Sequence, residues 1–234
     1  MARTLKSLVT AGMIGLAGLG LMPESTEAQV SGNVTLKNNY VVVPGFVADD
    51  NFVLQSSVAY SKAGFFGLVW SNYDTKKGKI DEIDYIVGYG RDVGDFNISL
   101  TSNNFDLRGA GGTDSNLYEL LLKVSLLGNV SPSIALEQNL VAGEGLESGR
   151  LRNYFIFGLD SNFNLGPIPI SFSGSTQFNN RYVIDKKGFS LGRFRVGVPL
   201  KFKGLTVEPA VSSQKAFDKD NFGNKTTLEL SVSR

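Results

Sequence analysis

The stretch Glu82-Ile83-Asp84-Tyr85-Ile86-Val87-Gly88-Tyr89-Gly90, broken at Arg91–Asp95 and resumed as Phe96-Asn97-Ile98-Ser99-Leu100-Thr101, decides the fold. Ile83, Tyr85, Val87 and Tyr89 fall on one parity and Glu82, Asp84, Gly88 and Gly90 on the other. After the break, Phe96, Ile98 and Leu100 alternate with Asn97, Ser99 and Thr101. A period of two is the signature of a half-buried strand, and a short glycine-containing break between two such runs is a hairpin.

The same rhythm runs outward in both directions. Upstream, Val34, Leu36, Tyr40 and Val42 share a parity, as do Phe52, Leu54, Val58 and Tyr60, and then Phe66, Leu68 and Trp70. Downstream, Tyr118–Leu126 sets apolar side chains against Glu119, Lys123 and Ser125, and Val130–Leu140 sets them against Ser131, Ser133 and Glu137. Later runs around Phe157, Ile170, Val196, Val207 and Leu230 behave alike, giving twelve strands in all. Five connections are short and contain glycine: Ser61–Gly64, Arg91–Asp95, Leu127–Val130, Asn164–Pro167 and Lys201–Leu205. Six are longer and polar: Val43–Asn51, Asn72–Lys79, Asn103–Asn116, Val141–Arg150, Gln177–Gly188 and Ser213–Lys225. Long and short alternate without exception, which predicts an all-β, antiparallel, up-and-down transmembrane barrel of twelve strands, with short turns in the periplasm and long loops outside.

The first residues read as a targeting segment. Arg3 and Lys6 precede an apolar, Gly/Ala-rich core from Leu8 to Met22, and Thr26-Glu27-Ala28 offers a small-residue cleavage site. That order predicts a secretory signal peptide over residues 1–28, cleaved after Ala28, and one barrel domain over residues 29–234. The core is about 15 residues long, short of the ~20 of a spanning helix. The expected location is the bacterial outer membrane.

Composition removes whole classes of function. The 234 residues contain no cysteine and no histidine, and 23 Lys+Arg balance 22 Asp+Glu to a net charge of +1. No disulfide, thiolate metal site, thiol nucleophile or Ser–His arrangement is possible. The charge balance gives no basic excess for nucleic acid. Glu82 and Asp84 share a strand face about 6.5–7 Å apart, a conceivable carboxylate pair. Lumen charges paired across a barrel explain them better, so no catalytic residue is assigned. Asp49-Asp50-Asn51 and Asp218-Lys219-Asp220-Asn221 lack the bidentate glutamate of a calcium loop, so neither metal nor cofactor is assigned. Lys76, Lys77, Lys79, Lys186 and Lys187 lie in expected outer loops, where they could meet lipopolysaccharide phosphates.

Three segments carry a family resemblance: Ser31-Gly32-Asn33-Val34-Thr35-Leu36, Phe66-Gly67-Leu68-Val69-Trp70-Ser71-Asn72, and Glu82 to Tyr89. They resemble the Gcw_chp family of proteobacterial exported proteins over roughly residues 30–103. The match departs after Tyr40, where Val41-Val42 stands in place of an Arg-Gly pair. The resemblance implies an outer-membrane barrel and brings no substrate.

On a membrane barrel the apolar parity faces lipid and the polar parity faces the lumen. The expected lumen charges are Lys37, Glu82, Asp84, Glu119, Lys123, Glu137, Arg152, Arg193, Arg195, Glu208 and Glu229. Arg193 and Arg195 form the most concentrated basic wall. Tyr40, Tyr60, Trp70, Tyr89 and Phe172 are the expected interfacial aromatics. The chain ends on Arg234 rather than on an aromatic residue, an unusual signal for the outer-membrane assembly machinery. The expected function is a porin-like passive channel for small polar solutes, with outer-membrane lipids, lipopolysaccharide and the assembly machinery as partners. Two alternatives stay open: a closed barrel with a structural or surface-binding role through its loops, and a soluble periplasmic β-protein holding an apolar ligand within inward-turned apolar faces.

Overall fold

The computed structural model describes residues 27–41, 47–108, 114–141, 153–180, 187–217 and 223–234. The expected signal core, Arg152, Lys186 and the Asp218–Asn221 run lie outside these residues.

Every described element is a strand: β1 Gln29–Lys37, β2 Tyr40–Val41, β3 Val47–Asp49, β4 Val53–Lys62, β5 Phe65–Asp74, β6 Lys79–Val93, β7 Phe96–Arg108, β8 Asp114–Leu126, β9 Val130–Val141, β10 Asn153–Leu165, β11 Ile168–Asn180, β12 Lys187–Gly197, β13 Leu200–Phe202, β14 Leu205–Ala216 and β15 Lys225–Ser233. Each long strand pairs antiparallel with its neighbour in the chain, and β15 returns to β1 with Val34 opposite Val232. Strand β13 continues β12 past Val198-Pro199, and both lie on β14. The result is a closed barrel of twelve strands with no free edge. From a strand spacing near 4.8 Å and a tilt near 40°, its backbone radius is about 12 Å.

Tight turns gather at one end. Gly64, Gly94, Gly166 and Gly204 all have positive φ there, where residues with a Cβ are strained. The strands run further toward the other, long-loop end than sequence predicts. Strands β7 and β8 extend to Arg108 and from Asp114, and β11 extends to Asn180. Those extensions are mostly polar, with Phe105, Leu107 and Phe178 as isolated apolar residues, so the ladder continues there with little apolar alternation to betray it.

Sidedness follows the polar parity. Val58, Val87, Leu100, Leu122, Ile134, Val196 and Leu230 face outward and are exposed, while Thr35, Gln55, Thr101, Ser131, Gln177 and Ser231 are buried inside. The barrel therefore does not turn its apolar faces inward, as a periplasmic carrier of apolar ligands would.

Strand β5 corrects the sequence reading. Phe66, Leu68 and Trp70 were expected outside; instead Phe66 is buried and shares the inward parity with Leu68, Trp70, Asn72 and Asp74, while Phe65, Val69 and Tyr73 face out. Both parities of β5 are apolar near its start, so burial of Asn72 and Asp74 sets the register. Phe66 finds room because Gly88 lies beneath its ring; a Cβ on Gly88 would also come within 2.7 Å of the Leu100 carbonyl oxygen. Phe66 packs with Ile86, Leu121, Ala135, Tyr154 and Ile156, with Leu68 and Phe105 at its margin, as an apolar cluster inside the barrel wall.

Candidate functional site

A ring of polar side chains crosses the lumen on the long-loop side of that cluster, and strand register brings it together. Asn72 lies opposite Glu82, Asn103 opposite Glu119, Glu137 opposite Tyr154, Arg193 opposite Gln214 and Glu229 opposite Lys37. All of these are nearly withdrawn from solvent, none more than 7% exposed. Lys37, Glu82, Asp84, Glu119, Lys123, Glu137, Arg193, Arg195, Glu208 and Glu229 all lie on the inward face. Of the expected lumen charges, Arg152 lies outside the described residues.

The ring is electrically uneven, although Lys123 on β8 stands among the acids and Glu208 on β14 and Glu229 on β15 stand among the bases. Glu82 and Asp84 on β6, Glu119 on β8 and Glu137 on β9 occupy one wall. Arg193 and Arg195 on β12 and Lys37 on β1 occupy the other. Arg195 is tied down: its Nη1 donates to Glu208 Oε1 at 2.6 Å and its Nε to Glu229 Oε2 at 3.2 Å. Ser171 and Ser212 hydroxyls donate to the same two carboxylates at 2.5 and 2.7 Å. Charge-assisted bonds of this kind hold a buried ion pair in one geometry, with Glu208 bound through Oε1 alone and its Oε2 buried without a hydrogen-bond partner. Arg193 Nε donates to Gln214 Oε1 at 3.1 Å.

The segment after β1 folds into the barrel mouth, which the sequence did not reveal. Strand β1 ends at Lys37, and the chain bends at Asn38-Asn39, so the parity that put Tyr40 outside is lost. Asn39 is buried, donating to the Thr226 carbonyl oxygen at 3.0 Å and accepting from the Thr227 hydroxyl at 2.6 Å. Tyr40 is therefore not an interfacial aromatic. Its hydroxyl donates to Glu82 Oε2 at 2.7 Å, and its ring lies 5.7 Å from that of Trp70. Trp70 is corrected with it: the indole belongs to the lumen. Tyr60 and Tyr89 do face outward, Tyr89 against Phe65 with centroids 4.8 Å apart, and Phe172 lies half-buried on the outer face above Gly174.

Opposite Tyr40 on the β2–β3 ribbon stands Asp49. It meets Asp74 and Asp81, with one oxygen of each within 4.8 Å of the others. The centre is taken by Lys77, whose Nζ lies 2.8 Å from Asp49, 2.9 Å from Asp74 and 3.3 Å from Asp81. Asn72 donates to Asp49 at 3.3 Å and to Asp81 at 2.8 Å. Asn51 and the backbone amides of Lys76 and Lys77 donate to Asp74 Oδ1 at 2.7, 2.8 and 3.1 Å. Bonds to Asp49 and then Asp74 hold the Lys77 ammonium above the ordinary lysine range, while burial pushes the Asp49 carboxyl up against the pull of Lys77. Lys77 is thus held at the barrel mouth by the three aspartates. Asp49 is far in sequence from Asp74 and Asp81, and no ligand spacing announces the three. Between them, Tyr40 and Asp49 fasten the ribbon to β5 and β6.

No family model and no curated protein matches the sequence. Among solved structures, the chain is similar to the NanC porin, with a TM-score of 0.53 and 8% identity over 88% of this chain and 98% of that one. It is also similar to a protein solved in a study of in-meso crystallisation of membrane proteins, with a TM-score of 0.51 and 11% identity over 88% and 83% of the two chains. At these identities the likeness is one of fold, and the fold is the closed twelve-stranded barrel of an outer-membrane porin.

Proposed function

We propose that the protein is an outer-membrane, porin-like channel, narrow and charge-selective, for small polar solutes. One observation carries the reading: the lumen ring gathers Glu82, Asp84, Glu119 and Glu137, with Lys123, on the β6–β9 wall and gathers Arg193, Arg195 and Lys37, with Glu208 and Glu229, on the β12–β1 wall. A barrel that needed only a solid polar core would gain most by pairing every charge with its opposite, because unbalanced buried charge is costly. Opposed walls of unlike charge instead produce a transverse field that orients a polar solute. The exposed apolar belt supports a lipid surround, since contiguous apolar surface of this extent is foreign to soluble monomers. No step of this function calls on a catalytic residue.

A second reading, the closed barrel, is favoured by a different observation. The ring side chains are nearly withdrawn from water, and the apolar cluster around Phe66 and Ile86 lies beside them. An apolar constriction closes a pore by dewetting. Single-channel recording of the purified protein in a planar bilayer, with folding checked by heat-modifiable gel migration, separates the two. The channel reading expects reproducible small conductance steps whose ion selectivity shifts toward cations in Arg193→Ala. A folded barrel that stays silent in the bilayer refutes the channel and leaves the closed barrel.

A further inference from the structure

On the acid wall, Asp84 on β6, Asn103 on β7 and Glu119 on β8 form a row across three neighbouring strands. Asn103 lies directly opposite Glu119, while Asp84, opposite Phe105, stands diagonally from Asn103 across the β6–β7 ladder. Direct cross-strand neighbours lie about 4.5–5.5 Å apart and diagonal ones about 7–8 Å, so the amide sits between the two acids. All three are on the inward face, and none is more than 3% exposed. Neither Oδ1 nor Nδ2 of Asn103 has a hydrogen-bond partner among the described residues, and Asp84 Oδ1 has none either. A buried amide with both ends unmet is rare and costly.

The charges around this row have one sign. Glu82 and Asp106 act on Asp84, and Glu137 and Asp84 act on Glu119, all of them acids. Among the lumen cations, Arg193 attracts Glu137, Lys123 is drawn to Asp160, and Arg195 is held by Glu208 and Glu229. Among the described residues, neither Asp84 nor Glu119 has an ion-paired lysine or arginine. The carboxyl groups of Glu82 and Asp84 are in hydrogen-bonding contact, as are those of Glu119 and Glu137. Each pair must therefore share a proton or be answered by a cation. The acids continue outward, since Asp81 and Asp49 act on Glu82 from the mouth. At the mouth an ammonium already answers such a group: Lys77 Nζ touches Asp49, Asp74 and Asp81. Deeper in, the row at Asn103 offers the same kind of oxygens without the lysine.

We infer that this row is a binding site for the ammonium group of a small cationic solute, seated on the Asp84 and Asn103 oxygens beside Glu119. The three N–H donors of an ammonium meet oxygens that lack donors, and the Asn103 amide keeps its own NH2 for the Glu119 carboxylate opposite. The inference deepens the proposed channel by naming a solute class and rests on that reading for the route of entry. Its test does not require conduction. The detergent-solubilised protein is titrated calorimetrically at pH 7 and low salt with propylammonium, with 1-propanol as its uncharged match, and with tetramethylammonium, which has the charge and no N–H. Propylammonium is expected to bind at least tenfold tighter than either. Asp84→Asn, which keeps the shape and removes the charge, and Asn103→Leu should each lose that preference. Asp95→Asn, exposed at a tight turn, should leave it unchanged. Equal binding of propylammonium and either comparison compound by the folded wild type overturns the site. Folded Asp84→Asn and Asn103→Leu proteins that bind like wild type overturn it too. Ammonium binding by a barrel that is silent in bilayers keeps the site and removes the channel; conductance without ammonium binding does the reverse.

Discussion

Replacing Lys77 by alanine leaves Asp49, Asp74 and Asp81 facing one another without their shared ammonium. Their side chains are at most 2% exposed, and their oxygens lie within 4.8 Å of one another. At that separation and an effective dielectric of about 20, each ionised pair repels by about 3.5 kcal/mol. Three such pairs exceed what a folded site tolerates, so the barrel must take up a proton or a cation. Lys77 is itself 39% exposed and water will enter its place, which screens the repulsion. The expected loss of stability at pH 8 is therefore about 3–5 kcal/mol, the range for breaking a buried pair.

The pH dependence gives the sharper test. A carboxyl that the folded variant protonates and the unfolded chain does not makes the penalty fall by about 1.4 kcal/mol per pH unit as pH drops. Between pH 8 and pH 5 most of the loss should disappear. In the wild type, Lys77 is held above the ordinary lysine range, so its contribution is complete below that range and is lost only at strongly alkaline pH. Asp49, whose carboxyl is pushed up, works the other way from a paired acid: its contribution is present at low pH and lost as pH rises through its folded value. Oxygens 4.8 Å apart can also sit on opposite sides of a calcium ion with bonds of about 2.4 Å. Millimolar calcium should accordingly restore Lys77→Ala and leave the wild type unchanged. Urea unfolding, followed by the fluorescence of the single tryptophan, Trp70, reads all of this. A loss that is the same at pH 5 and pH 8 and indifferent to calcium would refute the electrostatic account of the latch.

Three further outcomes are expected. Val58→Arg puts a charge in the middle of β4 on the outer face and should cost about 2–4 kcal/mol in vesicles but little in a soluble setting, so vesicle unfolding curves check the sidedness. Gly88→Ala should destabilise by about 1–3 kcal/mol, measured in the same way, because its Cβ meets the Leu100 carbonyl and the Phe66 ring. Glu208→Gln removes one of the two acids on Arg195; reversal potentials should shift toward anions, and urea midpoints should drop by an amount matching about 3 kcal/mol.

The sequence alone determined the strand rhythm, the order of tight turns and long loops, and through them the twelve-stranded closure. These are local properties: period-two alternation follows from the pleat, and turn chemistry follows from the φ that glycine permits. Polar parity likewise placed Lys37, Glu119, Arg193 and Glu229 inside, since each has at least one large apolar neighbour at i±1 that prefers the other face. Where both parities were apolar, as at Phe66, Leu68 and Trp70, alternation had nothing to say, and burial of Asn72 and Asp74 on strand β5 made the choice. Tyr40 was lost for another reason: a bend of two asparagines resets parity, and only contacts with Thr226, Thr227 and Glu82 fix where the chain goes next. The inner ribbon and the Lys77 latch belong wholly to the tertiary structure. Each depends on which strands closure sets side by side, and on charges that come within a few ångströms only when residues far apart in sequence share one lumen.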